Sequence, residues 1–166
     1  MRFAQRLISC VVLMSAALTL AQCTHAQVPA DEHTQTELPI LAQWSDNYPV
    51  TQLGRLPEGQ RTGQAGYLGN PAQFLRVWSA FKPGEEVPRV DFDANLVIFT
   101  RNIDFYNRIN ILKITLNDGV AGIIAMETRS ARPIEDHVAM AMAAIPRKGI
   151  KFILAGQEPI PISDDH

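Results

Sequence analysis

The chain has 166 residues, enough for one domain with a real core, and its 15 basic and 17 acidic residues give a net charge of −2. That balance provides no electrostatic footprint for nucleic acid or an anionic membrane. No run of like charge is long enough to act as an interaction tail.

The first element is a leader. MRFAQRLISCVVLMSAALTLAQCTHAQ places Arg2 and Arg6 before an apolar run from Leu7 to about Ala21, then ends in small residues. This is the pattern of a secretory signal peptide over residues 1–26, with cleavage expected after Ala26. The run falls short of the ~20 apolar residues of a membrane span. The alternative is a lipoprotein, with Leu20-Ala21-Gln22-Cys23 as the lipidation box and Cys23 as the membrane anchor. Gln22 argues against it, because a small residue normally precedes a lipidated cysteine. Cys10 and Cys23 are the two cysteines of the chain, so a domain that lacks the leader has no thiol chemistry. Loss of Arg2 and Arg6 takes the 15 basic residues to 13 against 17 acidic ones, a net charge of −4.

Residues 27–43 hold Pro29, Pro39 and aperiodic polar residues, and read as a flexible segment before a single domain spanning 44–160. A short edge strand is expected near Val50–Leu53, a loop over Pro57–Gly63 and a strand over Gln64–Leu68. A helix then begins. Asn70 is a good N-cap and Pro71 suits the first helical position. Phe74, Val77, Trp78 and Phe81 fall at i, i+3, i+4 and i+7, and Pro83-Gly84 stops the run.

The texture then turns to strands. Asn95–Thr100 is apolar and β-branched. Ile109–Leu116 puts Leu112, Ile114 and Leu116 on one expected face, Asp118-Gly119 marks a tight hairpin, and Val120–Glu127 returns. In HVAMAMAAI, residues 137–145, Met140 and Met142 share one parity with Val138 and Ala144. Ala139, Ala141 and Ala143 share the other. A strand would therefore carry large side chains on one face and small ones on the other, where a helix would scatter the two methionines. Pro146–Gly149 reads as a turn and Ile150–Leu154 as the hairpin partner. Residues 161–166 form an acidic tail. The pattern predicts an α+β fold: an antiparallel, β-rich sheet with one main helix, about residues 71–81, packed against it.

Candidate chemistry is sparse. His137, Met140, Met142 and Met126 are the residue types of a soft-metal site, since thioethers suit Cu(I). His137 has the opposite parity from Met140 and Met142, however, and Met is also the usual filler of irregular core space. Core packing is the expectation, with no metal and no cofactor. Glu135-Asp136-His137 pairs acid with imidazole but places no nucleophile beside it. Asp91 and Asp93 fit a turn before a strand. No GxSxG, HExxH or phosphate-cradling glycine loop occurs. Recognition is better served by RNIDFYNRIN, residues 101–110, where Arg101, Tyr106 and Arg108 are of the types enriched at contact centres. They are expected to be exposed and to meet a partner.

The order helix with Trp78, Pro-Gly loop, Val90-Asp91-Phe92 leading into an apolar strand, and a late Ile145-Pro146 resembles the PrcB-like domain. That family is named for the C-terminal part of a secreted lipoprotein that stabilises a bacterial surface protease complex. The resemblance covers roughly residues 64–156. The family usually has a Gly-rich stretch where this chain has RNIDFYNRIN. It implies an exported, β-rich, non-catalytic domain that contacts another envelope protein, and it carries no catalytic residues. Periplasmic copper handling through the Met and His residues, or a hydrolase with an unrecognised site, are the competing functions.

Overall fold

Strands make up about half of the described residues, most of them with period-two alternation of apolar side chains. The computed structural model describes residues 35–102, 108–128, 136–156 and 158–163. In chain order the elements are β1 (Thr36–Leu38), β2 (Ala42–Pro49), β3 (Ala65–Leu68), α1 (Pro71–Phe81), β4 (Asn95–Arg101), β5 (Arg108–Asn117), β6 (Val120–Thr128), β7 (His137–Pro146), β8 (Phe152–Ala155) and β9 (Glu158–Pro161). They form a five-stranded sheet in the order β1-β5-β6-β8-β9 and a four-stranded sheet in the order β2-β7-β4-β3. The fold is thus α+β, with two sheets where the pattern suggested one.

Two cores follow from the alternation. Leu96, Ile98, Ala139, Ala141 and Ala143 of the four-stranded sheet meet Ile109, Ile111, Ile114, Ala121 and Ile153 of the five-stranded sheet. On the opposite side of the four-stranded sheet, Tyr48, Val97, Phe99, Met140 and Met142 meet Phe74, Val77, Trp78 and Phe81 of α1. The order of layers is therefore helix, four-stranded sheet, five-stranded sheet. β7 lies between β2 and β4 and is buried on both faces, so its run is apolar throughout. Its small alanines face the second sheet and its methionines face the helix.

α1 starts as its sequence indicates. Asn70 Oδ1 accepts the Gln73 N–H at 2.9 Å, and Gln73 Oε1 accepts the Gly69 N–H at 2.9 Å. Trp44, Phe74, Trp78, Phe81 and Phe92 stack around its buried face with ring centroids 5.5–6.0 Å apart. The β5–β6 hairpin closes on Asp118 (φ 49°) and Gly119 (φ 85°), the two positive-φ positions a type I′ turn requires.

Four expectations are corrected. Thr36–Leu38 form β1 and residues 42–43 open β2, where a flexible segment was expected. Leu38 is buried in the inter-sheet core, and Glu37 pairs with Lys113 of β5 at 3.1 Å. Val50–Arg55 is a 3-10 turn rather than an edge strand, because the β2–β7 ladder ends at the Val50 N–H to Asp136 carbonyl bond. β7 does not form a hairpin with β8. Gly149, at φ 85°, turns the chain toward the other sheet, where β8 runs parallel to β6 at Val120↔Phe152 and Ala121↔Ile153. Finally, Leu112 does not share a face with Ile114 and Leu116. A β-bulge between Ile111 and Lys113 reverses the alternation and sends Leu112 outward.

Candidate functional site

The methionines and His137 do not converge. Met140 and Met142 are fully buried under α1, as their parity indicates. Met126 lies on the other sheet and is half exposed. His137 stands at the start of β7, half-buried, with Nδ1 3.0 Å from the Asp136 carboxylate. Among the described residues, no three His, Cys, Asp or Glu side chains group as metal ligands.

His137 does line a cleft of about 350 Å³ at the end of α1, together with Asp46, Asn47, Lys82 and Glu85. Lys82 Nζ is 2.6 Å from Asp46 and 3.6 Å from Glu85. Partial burial pushes the Asp46 carboxyl up, but the Lys82 hydrogen bond and the Asn47 N–H outweigh it and hold the group below the usual carboxylate range. The bond from Asp46 raises Lys82 above its ordinary value, so both stay charged. Among the described residues, no hydroxyl or thiol side chain lines the cleft.

The predicted recognition residues separate. Arg101 is only 2% exposed, which overturns its expected role as a presented contact. It is the last residue of β4 and has the parity of Val97 and Phe99. Its Nε donates to the Gly63 carbonyl at 2.9 Å and its Nη2 to the Arg61 carbonyl, so it ties down the loop before β3. Desolvation pulls its pKa down, opposed by nearby Tyr48. The Tyr48 hydroxyl is itself pushed up to about 12 by burial and donates to the Gln52 carbonyl at 3.0 Å. Tyr106 lies outside the described residues. Arg108 is exposed at the start of β5, opposite in parity to buried Ile109 and therefore on the outer side of the five-stranded sheet.

That outer side is the largest chemical feature the sequence reading missed. Leu112, Ile124, Met126, Phe152 and Leu154 are 36–56% exposed. Pairing registers place them on one face: Lys113 opposite Ile124, Asn110 opposite Met126, and Phe152 and Leu154 opposite in parity to buried Ile153. The signal for it was present in β6, where VAGIIAMET has apolar residues at both parities, which a half-exposed strand does not need. A groove of about 440 Å³ runs from this face toward the four-stranded sheet. Gln35, Thr115, Gly122, Ile124 and Leu154 line it together with Gln64, Ala65, Thr100, Ala125 and Glu127. Gly122 deepens it, because a Cβ there would meet Thr115 Oγ1 at 3.3 Å.

No protein-family model, curated protein or solved structure matches this chain. Geometry and chemistry therefore carry the functional argument. Among the described residues no helix is long and apolar enough to cross a membrane.

Proposed function

We propose that this chain is an exported, non-catalytic module that binds and stabilises another protein of the cell envelope, in the manner implied by its resemblance to the PrcB-like domain. The observation that carries the reading is the outer face of the five-stranded sheet. Five large apolar side chains lie half-exposed there on one surface. Several large apolar side chains exposed on one sheet face mark an interaction surface more often than neutral decoration. Arg108 stands on the same side, as the type of residue enriched at contact centres. The leader with Arg2, Arg6 and the apolar run to Ala21 supports export.

The test uses photo-crosslinking in the native envelope. A photoreactive residue replacing Ile124 or Leu154 should yield a discrete protein adduct. The same residue replacing Leu75, which is exposed on α1, should not. Equal labelling from all three positions, or none from the sheet face, would remove the support for a protein partner there. Mass spectrometry of the envelope protein should show a chain beginning at Gln27, or a lipid-modified Cys23 in the lipoprotein alternative. An intact Met1 would count against export.

A further inference from the structure

The strand edges of this fold are guarded. At β9, the Ile162 N–H donates to the Lys151 carbonyl at 2.8 Å, which sets the ladder so that Pro159 and Pro161 turn their backbone outward. Neither has an N–H to offer. At β3, the Arg101 N–H to Gln64 carbonyl bond turns the Tyr67 amide away from β4, and the buried Gln60 Oε1 accepts it at 2.6 Å. At β2, the Asn47 amide is taken by Asp46 Oδ1 at 2.8 Å. β1 is three residues long. The first half of β5, beyond β1, is crossed by β2, where the Ser45 hydroxyl donates to Asn110 Oδ1 at 3.2 Å. Capped or missing donors are how a sheet avoids templating foreign strands.

Among the described residues, β6 carries no such guard. The Asp118-Gly119 turn closes on Asn117 and Val120, so Val120, Gly122 and Ile124 turn their amides and carbonyls to β5. Those of Ala121, Ala125 and Glu127 point to the opposite side. There β8 pairs with Val120 and Ala121 and then leaves, because Gly156, at φ 67°, folds the chain back into β9. Among the described residues no strand covers Ala125 and Glu127 on that side. Both residues line the 440 Å³ groove.

We propose that this open side of β6 accepts an extended segment of a partner protein as an added strand, along the line that β8 vacates. The proposal rests on the reading of the chain as a protein-binding module and names how the partner is held. Main-chain hydrogen bonds to Ala125 and Glu127 supply the attachment, as in other strand-addition complexes. Gln64 and Ala65 of β3 wall the far side of the groove. A slot walled on its far side suits a single flexible strand better than the sheet edge of a second folded copy. Among the described residues Glu127 is the one charged residue lining it, and its Oε2 accepts from the Asn102 side chain at 2.7 Å, so the fitting segment is neutral along its length with a basic residue at one end.

The test uses the full chain, labelled with ¹⁵N and ¹³C, and the probe peptide acetyl-Lys-Thr-Val-Thr-Val-Thr-amide. A second probe is the same peptide methylated on alternate backbone nitrogens. Millimolar plain peptide should slow amide exchange at Ala125 and Glu127 by about tenfold or more, and leave Gly122 and Ile124 unchanged. The methylated peptide should have no effect. Ala125→Pro should abolish the response to plain peptide, whereas Ile124→Pro breaks the β5 ladder and should unfold the hairpin. Should Ala125→Pro fail to fold, the comparison of the two peptides on the unaltered chain decides. Equal effects of both peptides, or shifts confined to the Ile124, Met126, Phe152 and Leu154 side chains, would overturn strand addition and leave the module reading standing. No response anywhere would also overturn it, and the crosslinks from Ile124 and Leu154 would then judge the module reading separately.

Discussion

Met142 offers the sharpest test of the core. It is fully buried beneath α1 and pairs in register with Trp44 on one side and Phe99 on the other. Met142→Ala removes Cγ, Sδ and Cε, about three methylene equivalents at ~0.8 kcal/mol each, or about 2.4 kcal/mol of transfer free energy. The surrounding rings are held by the helix and by two strands and cannot close the gap. A residual void of roughly 60 Å³ at ~24 cal/mol per Å³ adds about 1.5 kcal/mol. The expected loss is therefore about 4 kcal/mol. Met142→Leu keeps the volume and should cost less than ~1.5 kcal/mol. Urea denaturation at constant m-value measures both. A loss under ~1 kcal/mol for Met142→Ala would refute the packing argument. Abolition of Cu(I) binding by the Met140→Leu, Met142→Leu pair, with stability unchanged, would restore the metal reading.

Arg101 and Arg108 should part company. Arg101→Ala strands the carbonyls of Arg61 and Gly63 and opens a cavity, and should cost about 2–4 kcal/mol in a denaturation experiment. Arg108→Ala, at an exposed site, should stay within ~0.5 kcal/mol. A Cβ on Gly66 would collide with Gln60 Oε1 and lie 2.6 Å from Phe99 Cζ, so Gly66→Ala should lower stability by about 1–3 kcal/mol, measured by thermal melting. Tyr48 ionises at about 12 in the folded chain against 10.0 when unperturbed. The neutral phenol is the form the fold favours, so this contribution is intact below pH 10 and is lost as pH rises from 10 toward 12. The alkaline loss should be about 2–3 kcal/mol, and Tyr48→Phe should flatten that limb of the stability–pH curve.

The elements that were legible in the sequence are those whose causes are local. Asn70 and Pro71 start α1 through contacts within one turn, and Asp118-Gly119 needs nothing beyond its own dihedrals. The parity of HVAMAMAAI is likewise a local record of two different neighbours. What escaped is set by distant pairing. A three-residue strand such as β1 has too few positions to show a period, and it is held by Ile114–Leu116, almost 80 positions later in the chain. The bulge at Leu112 is invisible to a rule that assumes constant alternation. Arg101 looked like a loop residue because charge at a strand end usually meets water. Here the carbonyls of residues 61–63 replace that water, and nothing in RNIDFYNRIN announces them. The open side of β6 depends on where β8 stops, which Gly156 decides from another part of the chain.

Both tryptophans of the chain belong to one aromatic cluster, with Trp44 and Trp78 ring centroids 5.5 Å apart at 81°. Trp44 comes from β2 and Trp78 from α1, so their spectroscopic coupling exists only while the helix is seated. Tryptophan fluorescence therefore watches the helix-side core, whereas the core between the two sheets carries Tyr67 instead. Far-ultraviolet dichroism is dominated by strands from both. Superimposable melting curves from the two methods would show that the layers come apart together. An earlier tryptophan transition would show the helix lifting away from a sheet pair that persists.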